Sequence, residues 1–179
     1  MNEKERILIE KCKQGDTKAM SMLYEMYYRP MFNTALRIVN DFHFAEDVMH
    51  EAFIKAFERI ESFRGSASFG AWLKRIIINE SLQWIKKYGR FSTNRNENEF
   101  EAVEEPDETD WPSEKPEKII RAMRKLRDNY RTILSLYYME GYDYEEITQI
   151  MGISYENART MLSRAKAALK KILTENNIL

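Results

Sequence analysis

The residues best equipped to bind another molecule through charge and hydrogen bonding cluster near the C-terminus, in DYEEITQIMGISYENARTMLSRAKAALKKIL. Glu156, Arg159, Thr160 and Ser163 recur at helical spacing, with Asn157 and Arg164 beside them. Guanidinium, amide and hydroxyl groups in that pattern can pair with base edges or grip phosphate oxygens. The residues before them read as a scaffold. Asp143 with Glu146 three positions on is a capping-box pattern, with Asp as the cap. Ile147, Ile150 and Met151 supply the buried stripe of a short helix, and Gly152 suits the left-handed residue that ends it. Ile153 can plug the corner and Ser154 can cap the next helix, whose expected buried positions are Ala158, Met161, Leu162, Ala165, Leu169 and Ile172. A short helix, a glycine turn and a second helix with a polar, cationic start fit the helix-turn-helix geometry, whose second helix can enter a major groove. A helical hairpin with a solvated face is the plain alternative. Agreement among the cap, glycine and cation positions favours DNA.

A second group lies in FRGSASFGAWLKRIIIN, residues 63–79. The short-chained loop Arg64, Gly65, Ser66, Ala67 and Ser68 can approach a ligand closely. On the helix that follows, Phe69, Leu73, Ile76 and Ile77 share an inward face with Trp84 beside them, while Arg75, Asn79 and Lys86 line up on another. Lys87 and Arg90 extend the positive end. Aromatics with cations suit unpaired bases, which stack on rings while cations follow the backbone. Burial preference makes Phe69 and Trp72 core candidates as well.

A third group is FAEDVMHEAFIKAFERI. Ala45, Val48, Met49, Ala52, Phe53, Ala56, Phe57 and Ile60 form one apolar stripe; Asp47, His50, Glu51, Lys55 and Glu58 point elsewhere, together with Ile54. An isoleucine among charges marks a partner surface, or is simply one exposed apolar side chain.

The elements that must position these groups are helices. Periodicity of 3–4 runs through both ends of the chain, with no convincing strand alternation. Asp16 or Thr17 can cap a helix carrying Met20, Leu23, Tyr24 and Tyr27, and Pro30 marks a break or kink after it. Residues 91–116 are polar, acidic and proline-containing, without period. The expected fold is therefore all-α: two small helical domains, 1–90 and 117–179, joined by an acidic flexible linker, the second domain a helix-turn-helix. The chain's net charge of −1 hides an asymmetry: residues 1–90 carry +3, 91–117 carry −8 and 118–179 carry +4. Two basic ends fit a nucleic-acid partner.

At 179 residues, 32% charged and 44% hydrophobic, the composition is that of a globular protein. One cysteine, Cys12, excludes an internal disulfide framework and fits a reducing compartment. The charged N-terminus has no signal-peptide core, and no apolar run approaches the roughly 20 residues that span a bilayer. A cytoplasmic protein without membrane insertion is expected. Two histidines and no phosphate-binding glycine motif leave no metal, cofactor or catalytic site, so the chain is expected not to be an enzyme.

Taken in order, GD–AM–LY–YYRP, FAEDVMHEAF, FRGSASFGAWLKRIIIN and EEITQIMGISYENARTMLSRAKAAL resemble a sigma-70 family sigma factor of the extracytoplasmic-function (ECF) type. The resemblance covers nearly the whole chain outside the linker. It implies a subunit that binds core RNA polymerase and directs it to promoter DNA. It implies polymerase contacts by Asp47, His50, Glu51, Phe53, Ile54 and Lys55. It assigns recognition and melting of the −10 element to Arg64–Ser68, Arg75, Asn79 and Lys86. It assigns the −35 duplex to Ser154, Asn157, Arg159, Thr160, Ser163 and Arg164. An anti-sigma factor is a further implied partner. His50 stands where the family usually has Gln, Thr148 where it has Ala, Arg127 where it often has Pro, and Lys86-Lys87 where an arginine pair is commoner.

The linker would reach about 85–95 Å extended and about 25–30 Å as a coil, against about 70 Å between elements roughly 20 base pairs apart. Its acidity fits either a mimic of nucleic acid inside the polymerase or a charged spacer. Two rival functions remain at this level: a stand-alone helix-turn-helix regulator, which would bind duplex by itself, and an adaptor that uses Ile54 without touching DNA.

Overall fold

The computed structural model describes residues 3–88 and 114–175, and the chain divides into two compact units between Tyr88 and Gly89. All regular structure among the described residues is helical. The linker expectation falls on residues outside the described ones, except at its end: Pro116 is the first residue of a helix. Its fixed φ and missing N–H suit that position, where no intrahelical donor is required.

In the first unit, α1 (Glu3–Lys13) leads through Gly15 into α2 (Thr17–Val39). Asp16 is the cap, accepting from the amides of Lys18 and Ala19 at 2.9 and 3.1 Å. Of the break or kink expected at Pro30, the break does not occur, for α2 continues through it to Val39. The proline removes a single amide donor from a long helix. Buried side chains on both sides of it, Leu23 before and Met31, Ala35 and Ile38 after, anchor the two halves in one core. Asn40 closes the helix in the left-handed region, its N–H donating to Leu36.

Asp41 caps α3 (Phe42–Glu58), and a 3-10 turn (Ile60–Ser62) and loop 64–68 lead into α4 (Phe69–Tyr88). Helices α2, α3 and α4 pack mutually, and α1 lies against α2 and the 3-10 turn. The stripe on α3 is buried as its spacing predicts, except that Phe57 is only half-covered. On α4, Phe69, Leu73 and Ile77 are fully buried, but Ile76 and Trp84 are half-exposed, while Ile78, Leu82 and Ile85 join the core. The buried arc is therefore rotated toward residues that a wheel centred on Trp72 left aside.

In the second unit, α5 (Pro116–Met123) and α6 (Asp128–Leu134) pack on α8 (Tyr155–Glu175), and α7 (Tyr144–Met151) completes the cover. Between α6 and α7 the backbone widens into a π turn, Ser135–Met139, with Glu140 N–H donating to Ser135 at 3.0 Å. Such turns insert a residue into a helical register, which the apolar spacing of ILSLYYM does not announce. On α8, Ala158, Leu162, Ala165 and Leu169 are buried as expected. Met161 and Ile172 are half-covered, and Leu173 and Lys166 are buried in their stead. Lys166 lies four residues after Leu162 and three before Leu169, so its aliphatic stem covers the edge of the apolar face. Arg131 is also buried, donating to the Leu126 carbonyl at 3.0 Å and pairing with Asp128 at 2.7 Å, which locks the α5–α6 corner.

Candidate nucleic-acid and partner interfaces

The helix-turn-helix is built locally. Asp143 accepts from the Glu146 amide at 2.8 Å and Glu146 accepts from the Asp143 amide at 3.1 Å, a complete capping box. Gly152 ends α7 at φ +68°, its N–H bonded to Thr148 at 2.9 Å, and the Ile153 amide bonds to the same carbonyl at 3.2 Å. Ser154 Oγ then accepts from the Asn157 amide at 3.2 Å and starts α8. These fixed ends leave Ser154, Asn157, Arg159 and Thr160 exposed along the first turns, with Ser163 and Arg164 half-exposed behind them. The six residues named from the sequence thus share the start of one helix. Tyr155, which polarity patterns missed, adds an exposed ring at its first position, continuing a row with Tyr144 (centroids 5.6 Å apart) and Tyr137 (5.3 Å from Tyr144). Its adjacency to the Ser154 cap is the one sequence signal that could have found it.

The second surface lies in the first unit. Arg64 to Ser68 are all exposed, and Gly65 adopts φ +74° with open space around its Cα. The ends of this loop are pinned: Phe63 N–H bonds to Ile60 at 3.1 Å, and Ser68 Oγ caps α4 by accepting from Ala71 at 3.2 Å. Phe69 is fully buried, settling its role as core. Trp72 is half-buried, against Phe63 and Phe69 at 5.4 and 5.5 Å, and so keeps part of its ring open beside the loop. Along α4, Asn79 and Lys86 are exposed and Arg75 is half-exposed on the same side. Farther along, Trp84 lies between Phe44 (4.7 Å) and Tyr88 (5.6 Å), with Lys87 over the Tyr88 ring at 4.8 Å. Spacing alone had placed Trp84 at the edge of the core.

The third surface is the outer face of α3. Asp47, His50, Glu51 and Ile54 are exposed together, and Ile54 keeps 54% of its surface open. His50 is oriented by α2: its Nε2 is 3.0 Å from Tyr24 Oη, and its ring stacks on the Tyr24 ring. Two residues named for this surface do different work in the structure. Phe53 is 2% exposed, packed on Tyr24 at 4.8 Å, and therefore supports the face from beneath. Lys55 bridges to Glu80 of α4 at 2.7 Å and to Glu51 at 3.4 Å, and the Glu80 hydrogen bond holds its ammonium above the ordinary pKa. It ties two helices as well as bordering the face.

Residues 23–91 match sigma-70 region 2, and residues 117–169 match sigma-70 region 4. The ECF RNA polymerase sigma-E factor of Haemophilus influenzae is 30% identical, with 93% of this chain and 93% of that protein covered. The RNA polymerase sigma-H factor of Pseudomonas aeruginosa is 29% identical over 96% of this chain and 94% of its own length. Among solved structures, the sigma factor RpoE in complex with the anti-sigma factor NepR from Bartonella quintana has a like fold, with a TM-score of 0.59 and 22% identity over 88% of this chain and 98% of that one. The chain belongs to the sigma-70 family of RNA polymerase sigma factors and is of the ECF type.

No helix among the described residues is long and apolar enough to cross a membrane. Among the described residues, no three His, Cys, Asp or Glu side chains are grouped to hold a metal ion.

Proposed function

We propose that this protein binds core RNA polymerase and directs promoter-specific initiation, reading the −35 element as duplex through α8 and the −10 element as a melted strand through loop 64–68 and α4. The observation that carries this is the presence of sigma-70 regions 2 and 4 on one chain, the latter ending in a capped helix whose exposed start is Ser154, Asn157, Arg159 and Thr160. Arg159 and Arg164 would supply phosphate or guanine contacts, and Asn157 and the hydroxyls would read neighbouring edges. Unpaired bases would lodge at the open loop, beside the accessible part of Trp72, with Arg75, Asn79 and Lys86 following the backbone. The exposed α3 face, with Ile54 among Asp47, His50 and Glu51, would dock on the polymerase.

The chain would perform no catalysis. It would contribute binding free energy that favours the opened promoter, and polymerase would do the chemistry. An anti-sigma factor is an expected further partner, as the like-folded RpoE is bound to one. The test combines purified protein and bacterial core polymerase on randomised promoter DNA, with selection for opened, transcribed templates. Two-part promoters, with opening dependent on both components, are expected. Tight duplex binding by the protein alone, without core association, would make it a conventional regulator and overturn the proposal.

A further inference from the structure

Loop 64–68 presents its polar groups to solvent, and what holds it lies at its two ends. At its entry, Ile60 and Phe63 are buried in the same apolar cluster as Leu8, Ile9 and Cys12 of α1, which packs against the 3-10 turn. At its exit, the Tyr27 ring meets Phe69 edge-on at 5.4 Å and lies so close to Gly70 that a Cβ there would come within 2.9 Å of Tyr27 Cε1. The Tyr27 hydroxyl donates to the Glu5 carboxylate of α1, and Glu5 is itself 6% exposed. Burial, then the Glu5 hydrogen bond, holds the phenol above its ordinary pKa.

Helix α1 therefore touches both ends of the loop, once directly and once through Tyr27. An apolar pair would join α1 to α2 with less desolvation. A directional hydrogen bond does something an apolar pair does not: it fixes where the ring stands, and the ring limits where the Gly70 backbone can go. Glu5 and the whole of α1 lie before the segment that matches sigma-70 region 2.

We infer that α1 is a brace for the DNA-reading loop, and that Glu5 and Tyr27 are positioning residues that hold residues 64–68 in the conformation that captures the melted strand. This rests on the sigma function proposed above. Small displacements at such a site have large effects on the step they serve.

The experiment compares wild type, Tyr27→Phe, Glu5→Ala, Glu5→Gln and Ile38→Val, the last a mild truncation of a buried α2 residue with no part in the brace. Three quantities are read: affinity for core polymerase, opening rate of preformed holoenzyme on a selected promoter, and trypsin cleavage after Arg64 in the free protein. Tyr27→Phe and Glu5→Ala should slow opening about tenfold, leave core affinity within about twofold, and speed cleavage after Arg64. Glu5→Gln keeps an acceptor oxygen and should restore most of the opening rate. Ile38→Val should lower the melting temperature and leave opening and cleavage unchanged. Wild-type opening and cleavage rates in Tyr27→Phe and Glu5→Ala would overturn the brace alone, as would losses that merely track melting temperature across all variants, Ile38→Val included. A wild type that opens no template with core polymerase would overturn the sigma function, and the brace's role with it.

Discussion

The start of α8 and loop 64–68 both present polar groups outward, yet they are held in opposite ways. The start of α8 is fixed by residues within about a dozen positions of it: the Asp143–Glu146 capping box, the left-handed Gly152 and the Ser154 cap. Loop 64–68 has a cap at Ser68, but its placement depends on Leu8, Ile9 and Tyr27, distant in sequence. The difference suits the two tasks proposed for them. A helix entering a groove needs a rigid rod with a defined start, which local hydrogen bonds supply. A loop that receives a splayed base needs open space at its centre and firm ends, which only surrounding helices supply.

That contrast can be broken most forcefully at Phe69. Truncation to Ala removes a fully buried ring that touches Tyr27, Phe63 and Trp72, and should cost roughly 3–5 kcal/mol. Hydrogen exchange resolved by segment should show protection lost across α1–α4 and retained in α5–α8; equal loss in both would mean the units do not fold independently. The helix-turn-helix should respond to smaller, local changes. Asp143→Ala removes half of the capping box and should cost about 1 kcal/mol. Gly152→Ala meets open space and should cost about as much, through its positive φ alone. Urea unfolding followed by Tyr fluorescence, with exchange confined to α7 and the start of α8, checks both; a strong change in loop 64–68 would contradict the local wiring.

A finer probe is Lys55→Gln, which breaks the α3–α4 bridge to Glu80. The pair is partly exposed, so the loss should be about 0.5 kcal/mol and shrink further at high salt. A salt-independent loss of several times that size would show the bridge to be a core element. The smallest effect is a pH dependence at Cys12. Burial, then the nearby Asp16 carboxylate, pushes its thiol from 9.0 up to about 11. The folded state keeps a proton that the unfolded state releases, so this contribution to stability is complete below 9.0 and fades as pH rises toward about 11. Wild type should therefore lose more stability than Cys12→Ala over that window, and identical curves would place the thiol in contact with solvent.

Much of this was legible in the residues. The all-α fold, the buried stripe of α3 and every capping group of the helix-turn-helix follow from spacing and from the few side chains able to satisfy helix ends. The errors share a cause. Pro30 reads locally as a break or kink, but one missing hydrogen bond does not end the helix where apolar side chains are buried on either side of it. Trp84 and Ile76 do pack against the core, but they lie near the boundary of the apolar arc, where the neighbouring helix decides how much of each is covered. The π turn at Ser135–Met139 shifts the register without any glycine or proline to mark it. Spacing already put Phe53 on the apolar stripe beneath the surface, whereas only the packing of α4 shows that Lys55 ties that surface down.

The sequence by itself determined the helices, their caps, the separation into two basic ends and the polar start of α8, because each depends on groups within a turn or two of one another. Tertiary structure alone decided how loop 64–68 is held, how far the buried arc of α4 extends to Ile78, Leu82 and Ile85, and why Glu5 is buried. Those outcomes depend on Tyr27 reaching 22 positions back along the chain to a carboxylate and pressing on a glycine that follows the loop. Helical periodicity records which residues share a face, but it holds no record of which face of another helix will meet them.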